Sequence, residues 1–221
     1  MKIHLIWDLD GTLVNSEPEI LMTIRHALAM VGLSVADAKA PLRIGPPLPT
    51  MLRTAFGEEQ LPEERLSAVI KAFRQIYDAS DFEATVPFEG IDALIRDDAY
   101  VHHVITNKPL FATSRIIEKK GWRGLIKDIL SPDSLEMEPG RRFNKQEMFL
   151  AFRSMYPDVR VVAIGDMAKD AESAKAIGIP AIGVLWGTGT RVELEQVGCE
   201  AIVSNTDELK SVLKYYCVIM L

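Results

Sequence analysis

The stretch KIHLIWDLDGT, residues 2–12, decides the fold. Ile3, Leu5, Ile6 and Trp7 make a short apolar run that stops at Asp8, and Gly11 follows Asp10 where the chain can turn sharply. A run of this kind, ending at a carboxylate, reads as a buried strand. Four later segments repeat the pattern: VHHVIT at 101–106, VRVVAIG at 159–165, AIGVL at 181–185 and AIV at 201–203. Helical patterns follow at about 109–120, 168–177, 190–197 and 206–216. Asn144 is placed to cap a further helix running to Met155, with Met148, Phe149 and Phe152 on one side. Strands alternating with helices predict an α/β fold, a doubly wound parallel sheet covered on both faces.

One region breaks the alternation. From about Asn15 to Val86 there is no convincing strand, only helical patterns at about 17–31, 48–56 and 62–79, punctuated by Gly32, Pro41, Gly45-Pro46-Pro47 and Pro62. The expectation is a small helical cap domain over 16–86, inserted into a Rossmann-like core made of 1–15 and 87–221. Such an insertion is expected to stand over the carboxyl ends of the strands, where open α/β sheets bind ligands.

Composition narrows the function classes. The chain has 221 residues, 48% hydrophobic and 25% charged, which is ordinary for a globular protein. A net charge of -6 without a long basic run argues against a nucleic-acid partner. No apolar stretch approaches the roughly 20 residues of a membrane span, so no membrane partner is expected. Cys199 and Cys217 form no CxxC pair, and a reducing cytoplasm fits better than a disulfide framework.

The carboxylates carry the chemistry. Asp8 and Asp10 stand two residues apart at a strand end, and a second pair, Asp166 and Asp170, follows the strand at 159–165 in the pattern GDxxxD. In a parallel sheet both strand ends lie on one edge, so the pairs can converge around a hard divalent cation such as magnesium (Mg2+). Thr106, Asn107 and Lys108 end another strand, offering a hydroxyl and backbone N–H groups, and Lys145 adds a positive charge beside Asn144. An anion would meet cation, lysine, hydroxyl and amides together.

DLDGT at 8–12, VITNK at 104–108, the lysine at 145 and GDMAKD at 165–170 resemble the four motifs of the haloacid dehalogenase superfamily. The run from Ile182 to Leu209, with IGPPL at 44–48 and PFEG at 87–90, is similar to its phosphoglycolate phosphatase-like branch. The resemblance implies a phosphatase acting on a small phosphorylated metabolite, as monomer or homodimer. It implies that Asp8 is the nucleophile and Asp10 the general acid and base. Asp8, the Asp10 backbone carbonyl and Asp166 would hold the metal. Thr106, Asn107 and Lys145 would bind the phosphoryl group, and Asp170 would orient Lys145 or a metal-held water. Dehalogenases of this superfamily lack an acid two residues after the nucleophile, so Asp10 favours phosphate esters, of the phosphoglycolate or nucleotide-monophosphate kind. One departure stands out. Gln146 follows Lys145 where proline is common, and Arg141 and Arg142, in the loop 138–143, are alternative anion contacts.

Two other outcomes use similar parts. A sugar-phosphate mutase would return the phosphoryl group to its substrate, and a phospho-accepting module would hold it on Asp8 without turnover. The histidines lack metal-ligand spacing and read as structural, as does Trp7. Trp186, in a glycine-rich loop, reads as packing before substrate contact. Glu17, Arg43 and Arg74 are the substrate-contact candidates in the insertion. The apolar end from Tyr215 to Leu221 suits core packing or a partner contact.

Overall fold

All five residues of β1, Ile3–Trp7, are buried, which a central strand of a covered sheet requires. A computed structural model describes residues 2–134 and 141–219. The chain runs on through β2 (Val14–Asn15), then helices α1 (Glu17–Ala29), α2 (Leu48–Gln60) and α3 (Glu63–Ala79). A single 3-10 turn at Val35–Asp37 lies between α1 and α2. β3 (Val86–Pro87) and α4 (Ile91–Ile95) precede the alternation proper: β4 (Tyr100–Ile105), α5 (Leu110–Lys119), β5 (Ile126–Leu130), α6 (Lys145–Met155), β6 (Val161–Gly165), α7 (Ala168–Lys175), β7 (Ala181–Val184), α8 (Arg191–Gln196), β8 (Ala201–Val203) and α9 (Thr206–Ile219).

Six of these strands form one sheet in the order β5-β4-β1-β6-β7-β8, every pairing parallel. The chain therefore belongs to the doubly wound α/β class. β1 lies between β4 and β6, with Trp7 in register with both Val104 and Ile164. Positions 8, 106 and 166 consequently follow three adjacent strand ends on one edge of the sheet.

β5 has no counterpart in the sequence reading. It is an edge strand whose Lys127 and Asp128 interrupt the apolar pattern, and only Leu130 is buried. An edge strand needs burial on fewer sides, so its apolar signal is weak.

One face of the sheet packs beneath α6 and α7, where Phe149, Phe152 and Met148 meet Ile6, Ile105, Val161 and Ala163. Asn144 caps α6 as its sequence position suggests: its side chain accepts from the Glu147 N–H at 3.0 Å, and Glu147 accepts from the Asn144 N–H at 2.8 Å.

The chain divides into two compact units, one of Met1–Asn15 with Pro87–Leu221, the other of Ser16–Val86. Within the second, α3 packs on both α1 and α2. Ile24, Leu28, Leu52, Phe56, Val69 and Tyr77 form its buried centre. Gly57 interrupts the helical backbone of α2, so its last turn is offset from the rest. Buried Glu19 accepts hydrogen bonds from Ser80 Oγ and from the Ala84 N–H, the latter at 3.0 Å. Between those two donors sits Phe82, the one described non-glycine residue with positive φ, at 58°.

Among the described residues no helix is long and apolar enough to cross a membrane. Tyr215 is exposed, and the side chains from position 217 onward lie outside the described residues.

Candidate active site

Asp8 follows β1 directly, and its N–H donates to the Ile164 carbonyl at 2.9 Å, which ties the turn to β6. Asp166 follows β6, and Asp170 lies in the first turn of α7. One carboxylate oxygen from each of Asp8, Asp166 and Asp170 lies within 4.8 Å of the others, and all three residues are buried. Lys145, the first residue of α6, reaches into this group. Its Nζ is 2.5 Å from Asp8 Oδ1 and 2.5 Å from Asp170 Oδ1.

Three buried carboxylates around one ammonium leave an excess of negative charge. Burial pushes the Asp8 carboxyl up to about 8; Lys145 opposes this, while Asp170 and Asp166 add to it. Burial likewise pushes Asp166 up to about 6, with Asp170 adding to the effect and hydrogen bonds from Thr188 opposing it. Burial works against a charge on Lys145, yet Asp170 and Asp8 together hold its ammonium above the ordinary lysine range. The donors are all hard oxygens with charge to be offset. That set suits a divalent cation of the magnesium type.

The surrounding chain is shaped to the carboxylates. Asp166 Oδ1 accepts from Thr12 Oγ1 at 3.2 Å, and its Oδ2 accepts from the Thr188 N–H at 2.8 Å and the Thr188 hydroxyl at 3.1 Å. Gly11 (φ 83°) and Gly187 press against the same carboxylate so closely that a Cβ at either would overlap it.

Asp10 is held differently. Its Oδ2 is 2.9 Å from Lys108 Nζ, in a pair whose side chains are 17% and 6% exposed. Thr106 is buried, and its Oγ1 accepts from the Lys108 N–H at 3.2 Å. Asn107, between them, is partly buried.

The other candidates have surroundings of their own. Arg141 pairs with Glu147 at 3.0 Å and lies over the Phe143 ring, and Arg142 is exposed. Residues 138–140 of that loop lie outside the described residues. Trp186 donates from Nε1 to the Thr12 carbonyl at 3.0 Å, a structural bond. Trp7 is fully buried and donates to His102 Nδ1 at 3.1 Å. Glu17, Arg43 and Arg74 belong to the Ser16–Val86 unit.

Sequence reasoning assigned no role to the Lys108 side chain or to Thr188. Lys108 stood inside a quoted motif, and a lysine at a strand end beside an acidic pair was the available signal. Thr188 carried a weaker one, a hydroxyl in the glycine-rich loop after β7.

Residues 5–184 match the family model of the haloacid dehalogenase-like hydrolases, most of the chain. The chain belongs to that family. A phosphoglycolate phosphatase of Xylella fastidiosa (strain 9a5c) is 30% identical over 192 residues, covering 83% of this chain and 80% of the relative. The tyrosine-protein kinase PtkA of Mycobacterium tuberculosis (strain ATCC 25618 / H37Rv) is 29% identical over 214 residues, covering 95% and 72%. Among solved structures, that of a predicted phosphatase from Clostridium acetobutylicum has a TM-score of 0.79 at 25% identity, covering 97% of this chain and 99% of the other. This family member is an enzyme, a phosphatase of the phosphoglycolate phosphatase-like branch.

Proposed function

We propose that this phosphatase hydrolyses a small phosphate monoester through an aspartyl-phosphate on Asp8, with magnesium as its metal. The observation that carries the reading is the Lys145 ammonium between Asp8 and Asp170, with Asp166 converging on the same point. A nucleophilic carboxylate needs an ionised oxygen beside positive charge, and a transferring phosphoryl group needs that charge as well.

In the first half, an Asp8 oxygen attacks phosphorus and the bond from phosphorus to the ester oxygen breaks. Asp10 gives that oxygen its proton, so the alcohol leaves. In the second half, Asp10 takes a proton from water as the water oxygen attacks the same phosphorus. The bond from Asp8 to phosphorus opens and inorganic phosphate departs. Lys145, Thr106 and the Asn107 backbone hold the non-bridging oxygens, and Asp170 positions Lys145. Magnesium, held by Asp8, Asp166 and the Asp10 carbonyl, would supply neutralisation of charge on the phosphoryl oxygens.

The substrate class is a small phosphorylated metabolite, phosphoglycolate first and nucleotide monophosphates second. The relative from Xylella supports the first. Release of phosphate from such a panel, dependent on magnesium and lost in Asp8→Asn, is the expected result. Isomerised substrate without free phosphate would instead indicate a mutase, and a stable phospho-Asp8 would indicate a phospho-accepting module.

A further inference from the structure

The two lysines at this site pair with different carboxylates. Lys145 takes Asp8 and Asp170, and Lys108 takes Asp10. The Asp10 carboxylate is only two residues from Asp8, yet it stands outside the group formed by Asp8, Asp166 and Asp170. A free carboxylate so near a hard divalent cation would tend to join its coordination shell. There the cation would draw on its lone pairs, making it a weaker base, and turn it away from the leaving oxygen.

Lys108 is well held for a restraining part. Its N–H donates to Thr106 Oγ1 at 3.2 Å and its carbonyl accepts from Thr113 Oγ1 at 3.3 Å, which fixes the backbone immediately before α5. The side chain is 6% exposed, so little water competes for the ammonium.

The geometry points to Lys108 as a positioning residue that keeps the Asp10 carboxylate out of the metal's coordination shell and reserves it for proton transfer. This rests on the reading of Asp10 as the acid and base. Lys108 touches neither phosphorus nor the oxygens it exchanges in this account. It acts through Asp10, and its removal lets a further carboxylate swing toward the cation.

The test uses the full chain and two readouts. The first is Mn2+ binding, followed by electron paramagnetic resonance without substrate, in Lys108→Met, Asp10→Asn and the double variant. Lys108→Met is expected to bind Mn2+ several-fold more tightly than the parent, and this gain is expected to vanish in the Asp10→Asn background. An equal gain in both backgrounds would mean only that a nearby positive charge was removed, and it would overturn the proposal. So would no gain.

The second readout is leaving-group dependence. Lys108→Met is expected to lose about 100-fold in kcat/KM, which reports only formation of the aspartyl-phosphate, on an alkyl phosphate, whose leaving oxygen needs a proton, and far less on p-nitrophenyl phosphate, whose leaving oxygen does not. Lys108→Arg is expected to restore most of the loss. A uniform loss in kcat/KM on both esters would overturn the proposal. Should Lys108→Met fail to fold, Lys108→Gln carries the same two tests. Asp10→Asn alone tests the underlying reading: if it shows no leaving-group dependence, the acid and base role fails whatever Lys108 does.

Discussion

Gly11 backs directly onto the carboxylate of Asp166, with no room between them for a Cβ. The contact joins the turn after β1 to the residue after β6, so the two acidic segments are spaced by backbone against side chain. Gly11 also has φ of 83°, a conformation unfavourable for any L side chain. Gly11→Ala is therefore expected to lose at least about 1–2 kcal/mol of stability from backbone strain alone. It is also expected to displace Asp166. Thermal melting and a magnesium titration of phosphate release check the two effects, and the metal requirement should rise.

Lys145 is the cation shared by Asp8 and Asp170. Removing one partner of a buried charged set leaves the others uncompensated, at a cost of about 3–5 kcal/mol. Lys145→Met is expected to fall in stability by that order and to lose at least about 100-fold in turnover. Chemical denaturation and phosphate release measure each. Retained activity would remove Lys145 from the site.

A second polar network, centred on buried His4 and His103, lies away from the Asp8, Asp166 and Asp170 carboxylates. His4 Nδ1 and His103 Nε2 are 2.9 Å apart, His103 Nδ1 is 2.9 Å from Asp128 Oδ2, and Tyr156 donates to the same Asp128 oxygen at 2.7 Å. Burial pushes His103 down to about 4; Asp128 opposes this, while His4 and Lys127 add to it. In the unfolded chain a histidine titrates near 6.5, so the unfolded state binds more protons between these values. Stability from this group is present above about pH 6.5 and is lost as pH falls toward 4. Melting curves across that window should show the decline, and His103→Gln should make the slope shallower.

Glu19 holds the segment that leads out of the helical unit. Its buried carboxylate satisfies the Ala84 N–H and Ser80 Oγ on either side of Phe82. Glu19→Ala leaves the part-buried Ala84 N–H without this acceptor at a cost of about 1 kcal/mol, whereas Glu19→Gln keeps an acceptor and should cost less. Limited proteolysis is expected to open the chain between 80 and 85 in the alanine variant first.

Much of this was readable along the chain. The mostly apolar runs ending at Asp8, Thr106 and Gly165 announced parallel strands, since a strand covered on both faces is largely apolar. The spacing DxDGT and GDxxxD marked two acidic strand ends. β5 escaped because an edge strand tolerates Lys127 and Asp128. The histidine network escaped because His4, His103 and Asp128 are brought side by side only by the order β1, β4, β5.

What the amino-acid order determined alone was the periodicity: the central strands, the main helices, and which strand ends carry charge. Tertiary structure decided the partners. That Lys108 takes Asp10 while Lys145 takes Asp8 follows from strand order and the helix entrances, as does the closing of Thr188 on Asp166. Local pattern reflects burial within a few residues, whereas these contacts join positions 22 to 137 residues apart, and only the folded sheet sets their distances.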